Sequence, residues 1–449
     1  MKIHFIGIGG IGVSALAKYY LKKDWEVSGC DLASSEITDQ LKSMGIAVRI
    51  GKPDISCVPE NTDRVVYSPA VPEGNIERKK KKAQSYPEAL GELTRTHYTV
   101  AVSGTHGKST TTSMIGLLLV KAGYDPTIIV GTKLKELGDS NCRVAASERG
   151  EPRPAGRGKS KYLVIEADEH LASFLNYWPT IIVLTTVEAD HLDYWKNLQN
   201  LLKGFQKYIS HLPQNGVLVA NKDDKNIRKL LSSKNNHFPT AVGNRIYWFS
   251  LKQKEGGKLR KTLKIPGEHN VANALAALTV ARVLKIPDRV SLKALSEYKG
   301  SWRRFEIFNV KCQKSKVKIV SDYGHHPTEI RVTVKAAREK WPKKKIWLVF
   351  QPHQYARTYY LWNDFVKVLS QLPVEKLIIT DVYDVAGREN KALKAKVSSE
   401  KLARATGALH IPTVKQAEQY LKQNLRGGEI VMIMGAGDIY GLTLRLRSG

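Results

Sequence analysis

"HYTVAVSGTHGKSTTTSMIGLLLVKAG", residues 97–123, decides how the chain is to be read. A β-branched apolar run enters a glycine turn, and the turn opens a helical stretch that closes at Gly123. Strand, glycine loop and helix in that order are the layout of the phosphate-binding loop G-x-x-x-x-G-K-[ST]. The match is incomplete, because Val102 stands where the first glycine belongs. The physical requirements survive the change. Gly104 and Gly107 let backbone N–H groups turn toward phosphate oxygens. Lys108 can reach β- and γ-phosphates, and the Ser109 hydroxyl at the helix start can ligate Mg²⁺.

Working outward, "KYLVIEAD" (161–168) and "TIIVLTTVEAD" (180–190) read as strands buried on both faces, each running to an acidic end. In an open parallel sheet ligands bind beyond the carboxyl ends of the strands. Lys108, Ser109, Glu166 and the Asp190–His191 pair are therefore expected at one edge, as a Mg-nucleotide site. "PGEHNVANALAALTVARVL" (266–284) reads as a helix. Asn270 and Asn273 lie one turn apart on it and can share a face.

A second glycine loop, "GIGGIG" (7–12), spells G-x-G-x-x-G between a strand and a helix, and Asp31 follows at the end of the next strand. That is the dinucleotide fingerprint, with pyrophosphate at the helix N-terminus and ribose on the acid. Alone it suggests an NAD-dependent dehydrogenase. What the turn requires is narrower: a nucleoside diphosphate. A dehydrogenase leaves Lys108, Glu166 and His191 without work.

A chain of 449 residues makes two to four domains. Strands and helices alternate in three series, which predicts three α/β domains over 1–96, 97–301 and 302–449. The third series carries the strands "KIVSDY", "KIWLVFQ", "EKLIITDVY" and "EIVMIMGAG". "SERGEPRPAGRGKS" (147–160) reads as a mobile loop. Cys30, Cys57, Cys142 and Cys312 are scattered without a CxxC pair, which speaks for a reducing compartment and against a disulfide framework or zinc ribbon. "HHPTE" tempts a zinc reading through His325, His326 and Glu329, but adjacent side chains diverge and no companion ligands follow. No apolar run approaches the ~18 residues of a membrane span, and "MKIHFIGIGG" reads as a first strand, so a cytoplasmic protein with no membrane insertion is expected. The formal charge of +29 comes from dispersed lysines with runs at "ERKKKKA" (77–83) and "WPKKKIW" (341–347). Neither run has the aromatic interleaving of a single-strand binder, so no nucleic-acid partner is expected.

Ten motifs in order resemble the Mur ligase family: "HFIGIGGIGVSALA", "SGTHGKSTTTSM", "IEADEHLASFL", "VEADHLDYW", "PGEHNVANALAAL", "KGSWRRFEIF", "SDYGHHPTEI", "FQPHQYARTYYLWNDF", "DVYDVAGREN" and "GAGDIY". The resemblance implies an N-terminal Rossmann-like UDP-binding domain, a central P-loop ATPase domain with a parallel sheet, and a C-terminal Rossmann-like domain for the amino acid. It implies ATP and Mg²⁺, with UDP-N-acetylmuramate and L-alanine as substrates joined through an acyl phosphate. A related ligase adding a preformed peptide in wall recycling is the alternative. A monomer or weak dimer is expected.

Residue by residue, the resemblance implies that Gly7, Gly9, Gly10, Gly12, Asp31 and Ser68 hold the UDP-sugar. Gly104, Thr105, His106, Gly107, Lys108, Ser109 and Thr110 would hold ATP, joined by Asn270, Asn273, Arg304 and Asp322. Ser109, Glu166 and His191 would hold metal, and Lys108, Glu166, His191 and Arg304 would carry catalysis. Tyr323, His353 and Arg357 would face the amino-acid and muramoyl end. Four positions in three motifs depart from the family pattern: Gln354 replaces an Arg, His170–Leu171 replace Ser-Asp, and Ser321 replaces an Asp.

Overall fold

Apolar runs too short to be helices and bounded by glycine or polar turns become the strands of three sheets in this computed structural model. It describes residues 1–149, 161–232, 245–312, 315–384 and 391–448. Most of the 147–160 loop, and residues 385–390 of the "DVYDVAGREN" motif, lie outside the described residues.

The first sheet has five parallel strands, in the order Ala47–Ile50, Glu26–Asp31, Lys2–Ile6, Arg64–Tyr67, Ala83–Ser85. The strand order reverses between Lys2–Ile6 and Arg64–Tyr67, and such a switch point opens a crevice beyond the carboxyl ends. Gly7 follows the first of these strands and Ser68 the second.

The second sheet has seven strands in the order Ile246–Phe249, Val217–Asn221, Ile181–Leu184, Tyr98–Ser103, Tyr162–Ala167, Thr127–Leu134, Ser140–Arg143. All pairs are parallel except the last. Ile181–Leu184 and Val217–Asn221 are buried at every position, as central strands covered on both faces must be. The third sheet runs Glu306–Cys312, Ser315–Asp322, Ile430–Met434, Ile346–Phe350, Lys376–Ile379, Leu409–His410, with only its first pair antiparallel.

Two compact units result. One comprises residues 1–188, 199–262 and 272–298 and holds the first two sheets; the other comprises 189–198, 263–271 and 299–449 and holds the third. Within the first unit the helix Ile11–Leu21 is tied to the second sheet's elements by buried polar groups. Lys18 Nζ donates to Asn141 Oδ1 at 2.9 Å, and Tyr19 Oη donates to Glu148 at 2.6 Å. Glu148 is nearly inaccessible; burial would raise its carboxyl, but His97, Thr127 and Tyr19 bring it down to about 2.

One expectation needs correction. The 180–190 run is a strand only over Ile181–Leu184. At Thr185 the N–H still meets Ser103 O at 3.0 Å, but the side chain serves the glycine loop: its hydroxyl lies 3.1 Å from Ser103 O and 2.5 Å from His106 O. Thr186 O accepts the Thr105 N–H at 2.8 Å. The Asp190–His191 pair is thus not a strand end, and residues 189–198 group with the second unit.

Candidate functional site

The missing Walker glycine has a simple structural reason. Val102 is still inside the strand Tyr98–Ser103, fully buried and paired in register with Glu166 and Val183. The turn is confined to Gly104–Gly107, and only these two glycines carry the positive φ it needs, +128° and +81°. A Cβ on Gly104 would lie 2.4 Å from Thr185 Oγ1 and 2.6 Å from Thr186 O; one on Gly107 would lie 2.5 Å from Asn273 Oδ1. Thr105 holds the far side reciprocally: its hydroxyl donates to Glu188 O at 3.2 Å and accepts the Glu188 N–H at 2.9 Å. The His106 N–H donates to Thr186 Oγ1 at 3.0 Å. Thr110 is buried in the first turn of the helix Lys108–Lys121. With Gly107 as its N-cap, this helix aims its first-turn N–H groups and positive dipole end at the turn, an arrangement that suits an anion.

The charged groups at the loop are already engaged with one another. Ser109 Oγ donates to Glu166 Oε2 at 3.0 Å, and the other Glu166 oxygen accepts the Gly131 N–H. A Cβ on Gly131 would lie 3.0 Å from both carboxylate oxygens. Lys108 Nζ donates to Gly104 O at 2.8 Å and to Glu169 Oε2 at 2.8 Å, with Asp168 Oδ1 at 3.5 Å. Burial works against the ammonium, but Glu169 and Asp168 hold its pKa above the ordinary lysine value. Burial pushes the Glu169 carboxyl up to about 7, with Lys108 opposing. Sequence reasoning missed Glu169. The signal was present in "EADEH", where a second carboxylate follows the strand end, but only burial beside Lys108 distinguishes it from a surface acid.

The first glycine loop is built by the same logic. Gly7, at φ +74°, leaves 3.0 Å from its Cβ position to Ser68 Cβ, and a Cβ on Gly12 would lie 2.9 Å from the Tyr86 ring. Cys30 O accepts the N–H groups of Gly7 and Ile8 at 2.9 and 3.0 Å. Asp31 Oδ2 accepts the Gly9 N–H at 2.8 Å, so one oxygen of the expected ribose acid also braces the turn. Gly10 is the N-cap of Ile11–Leu21, with no side chain in the way of an anion.

In the second unit, Asp190 and Arg357 form a buried ion pair, with Nε–Oδ1 3.0 Å and Nη2–Oδ2 3.3 Å. Burial would raise the Asp190 carboxyl, but Arg357, His191 and His326 hold it well below the usual carboxylate range. His191, at φ +50°, caps the short helix Leu192–Trp195 and lines a small pocket with Asp190, Gln354 and Arg357. Gln354 is itself at φ +71° and places its Oε1 3.5 Å from Arg357 Nη1. His353 stacks on Tyr383 at 5.6 Å and tilts against His325 at 5.6 Å; Tyr323 meets the same His325 edge-on at 5.4 Å. Burial, and then Arg357, push His325 down to about 4, so it is neutral near pH 7.

Arg304 stands 5.1 Å over the Tyr323 ring, while its neighbour Arg303 is buried and donates to Gly435 O. Asp322 accepts the Phe305 and Gly324 N–H groups, each at 2.7 Å, and burial pushes it up to about 6. His326 caps the helix Pro327–Lys340 in a box closed by Glu329. Asn270 and Asn273 lie on the helix Glu268–Val283; Asn270 donates to Pro266 O at 2.6 Å, and Asn273 is the residue packed over Gly107.

These three sheets, with the glycine loop and its helix on the second, define a three-domain α/β ligase of the Mur type. Three family models match in series: "Mur ligase family, catalytic domain" over residues 2–98, "Mur ligase middle domain" over 102–281, and "Mur ligase, glutamate ligase domain" over 303–437. The UDP-N-acetylmuramate–L-alanine ligase of Acetivibrio thermocellus is 37% identical, covering 98% of this chain and 94% of the relative. That of Aquifex aeolicus is also 37% identical, over 98% and 95%. The chain belongs to the Mur ligase family. Among solved structures, the UDP-N-acetylmuramate–alanine ligase of Thermotoga maritima superimposes with a TM-score of 0.77 at 26% identity, covering 99% of this chain and 98% of that one. A murein peptide ligase from Psychrobacter arcticus shares the fold at TM-score 0.71 and 20% identity. No helix among the described residues is long and apolar enough to cross a membrane.

Proposed function

We propose that this chain joins L-alanine to the lactyl carboxylate of UDP-N-acetylmuramate at the expense of ATP, a step in making peptidoglycan precursor. The observation that carries this reading is the end-to-end 37% identity to ligases of that activity. The domains proposed are 1–96 for the UDP-sugar, 97–301 for ATP and 302–449 for the amino acid.

The first step is attack of a lactyl oxygen on the γ-phosphorus of ATP, with ADP leaving. Phosphoryl transfer asks mainly for positioning and charge neutralisation. Lys108 is assigned to the β- and γ-phosphates, for which it exchanges its bonds to Gly104 O and Glu169. Residues 104–110 are assigned to the same phosphates, with the N–H groups at the helix start offered to them while those of Thr105 and His106 brace the loop on Thr186. The Ser109 hydroxyl and the Glu166 carboxylate, 3.0 Å apart, are hard oxygen donors of the kind Mg²⁺ takes. His191 is assigned a second ion. Mg²⁺ so held would offset the repulsion between triphosphate and carboxylate.

Asn270, Asn273, Arg304 and Asp322 are assigned to ATP, with Arg304 meeting phosphate charge. In the second step the alanine nitrogen attacks the acyl carbon, phosphate leaves, and a proton is lost from the amine. An α-amino group with a pKa of about 8 is partly neutral near pH 7, so no strong base is required. Tyr323, His353 and Arg357 are assigned to this end of the substrate. Gly7, Gly9, Gly10 and Gly12, with Asp31 and Ser68, are assigned to the UDP moiety.

The test is phosphate release from Mg-ATP with UDP-N-acetylmuramate, comparing L-alanine, glycine, L-serine and a wall tripeptide. Release that needs both the sugar nucleotide and L-alanine is expected. Preference for the tripeptide would move the acceptor, and no release with any amine would overturn the assignment.

A further inference from the structure

The first sheet carries a side-chain cluster that neither glycine loop uses. His4 on Lys2–Ile6 pairs in register with Ser28, and Cys30 lies two residues further along that neighbouring strand. The pleat puts His4, Ser28 and Cys30 on one face. Cys57, at the end of the short turn Ile55–Cys57, comes down on the same face. The result gathers His4, Cys30 and Cys57, residues far apart in sequence, with their nitrogen and sulfur atoms all within 4.8 Å of one another.

Three details give this cluster the character of a ligand set. His4 is 1% exposed, and its Nε2 has no hydrogen-bond partner among the described residues, a costly state for a buried polar atom. Its Nδ1 lies 2.9 Å from Ser28 Oγ. If Nδ1 carries the proton, as a donor to that hydroxyl, the Nε2 lone pair is left for the cluster, which is the usual second-shell device that fixes a metal-binding imidazole. Finally, Glu77 is 3% exposed and accepts from the Cys30 thiol at 3.3 Å, a fourth donor beside the set.

We propose that His4, Cys30 and Cys57, with Glu77 beside them, form a binding site for a thiophilic cation of the zinc class. One imidazole, two thiolates and one carboxylate are the donors such ions take in fourfold sites. Binding requires both thiols to lose their protons to solvent, so affinity rises with pH. Lys80, whose Nζ donates to Val58 O and pairs with Glu60, offers a positive charge to offset the net negative ligand set. Half-buried Cys57 is the way in. The site lies one peptide below the first glycine loop, because Cys30 O holds the Gly7 and Ile8 N–H groups. An ion bound there braces that loop.

The test uses the full chain, reduced, stripped with chelator and titrated with Cd²⁺ as a spectroscopic stand-in for Zn²⁺. One equivalent bound with thiolate-to-metal charge-transfer absorption is expected, together with release of about two protons per ion. Cys57→Ser should abolish the band, His4→Gln should weaken binding at least tenfold, and Cys142→Ser should leave the band intact. No band in the unaltered chain, or a band that survives Cys57→Ser, overturns the proposal. Should Cys57→Ser fail to fold, alkylation of the unaltered chain decides: metal should protect Cys57 from iodoacetamide, and equal labelling with and without metal refutes the site.

Discussion

Gly104→Ala isolates what the shortened loop demands. The substitution meets two independent penalties. At φ +128° an L side chain is strained, which costs about 1–3 kcal/mol. Its Cβ would also sit 2.4 Å from Thr185 Oγ1, 2.6 Å from Thr186 O and 2.9 Å from Thr186 N, two of them backbone atoms that cannot rotate away. Thr186 O is pinned by the Thr105 N–H, so moving it breaks the loop's own support. Overpacking of this kind costs a further ~1–3 kcal/mol. The loop relieves a total of ~2–6 kcal/mol most cheaply by leaving its phosphate-ready form. At tenfold per 1.4 kcal/mol that lowers the competent fraction by roughly 30-fold to 10⁴-fold, and apparent ATP affinity falls with it. The assay is equilibrium binding of a fluorescent ATP analogue alongside kcat/KM for phosphate release. Gly138→Ala is the control. Gly138, which ends the turn Lys135–Leu137, has φ +71° but nothing within 4 Å of its Cβ position, so it carries the backbone strain without the clash. Nucleotide affinity of Gly104→Ala within threefold of the unaltered chain would refute the reasoning.

Three further outcomes follow from the same geometry. Val102→Gly, which completes the Walker pattern, should destabilise by about 2–4 kcal/mol through lost burial and added chain entropy, without tightening ATP; a thermal melt and a binding isotherm read the two effects. Ser109→Ala should raise the Mg²⁺ concentration for half-maximal phosphate release at least tenfold with little change in melting temperature. Asp190→Asn strands a buried Arg357 and should cost ~3–5 kcal/mol in the second unit, measured by calorimetry. Because the Asp190 pKa is depressed on folding, its stabilisation is present above the unfolded value near 4 and is lost as pH falls below it. The melting difference between Asp190→Asn and the unaltered chain should therefore shrink in acid, and a difference independent of pH would contradict the pair's role.

What could be read from the residues was whatever is local along the chain. Gly7, Gly104 and Gly107 announce turns because positive φ is a property of one residue, and the strands beside them are legible because burial on both faces leaves an unbroken apolar run. The same rule explains the overrun at 180–190. "TIIVLTTV" is almost all β-branched, yet the Thr185 hydroxyl and the Thr186 hydroxyl and carbonyl serve the glycine loop, and a side chain's hydrogen-bond partner 80 residues away leaves no mark on local periodicity. Glu169 was invisible for a related reason: its pKa depends on burial beside Lys108, 61 residues distant. Asp190 was noted for its place near His191, whereas its contact is Arg357, 167 positions on. The scattered cysteines make the point most directly. A search for CxxC finds nothing, because Cys30 and Cys57 meet through a turn laid over a sheet face, and His4 joins them only through the register of two parallel strands. A ligand set assembled across strands has no fixed spacing. It becomes readable only once the pairing His4↔Ser28 is known, and that pairing follows from which face of the first sheet the apolar residues Ile6 and Val65 bury.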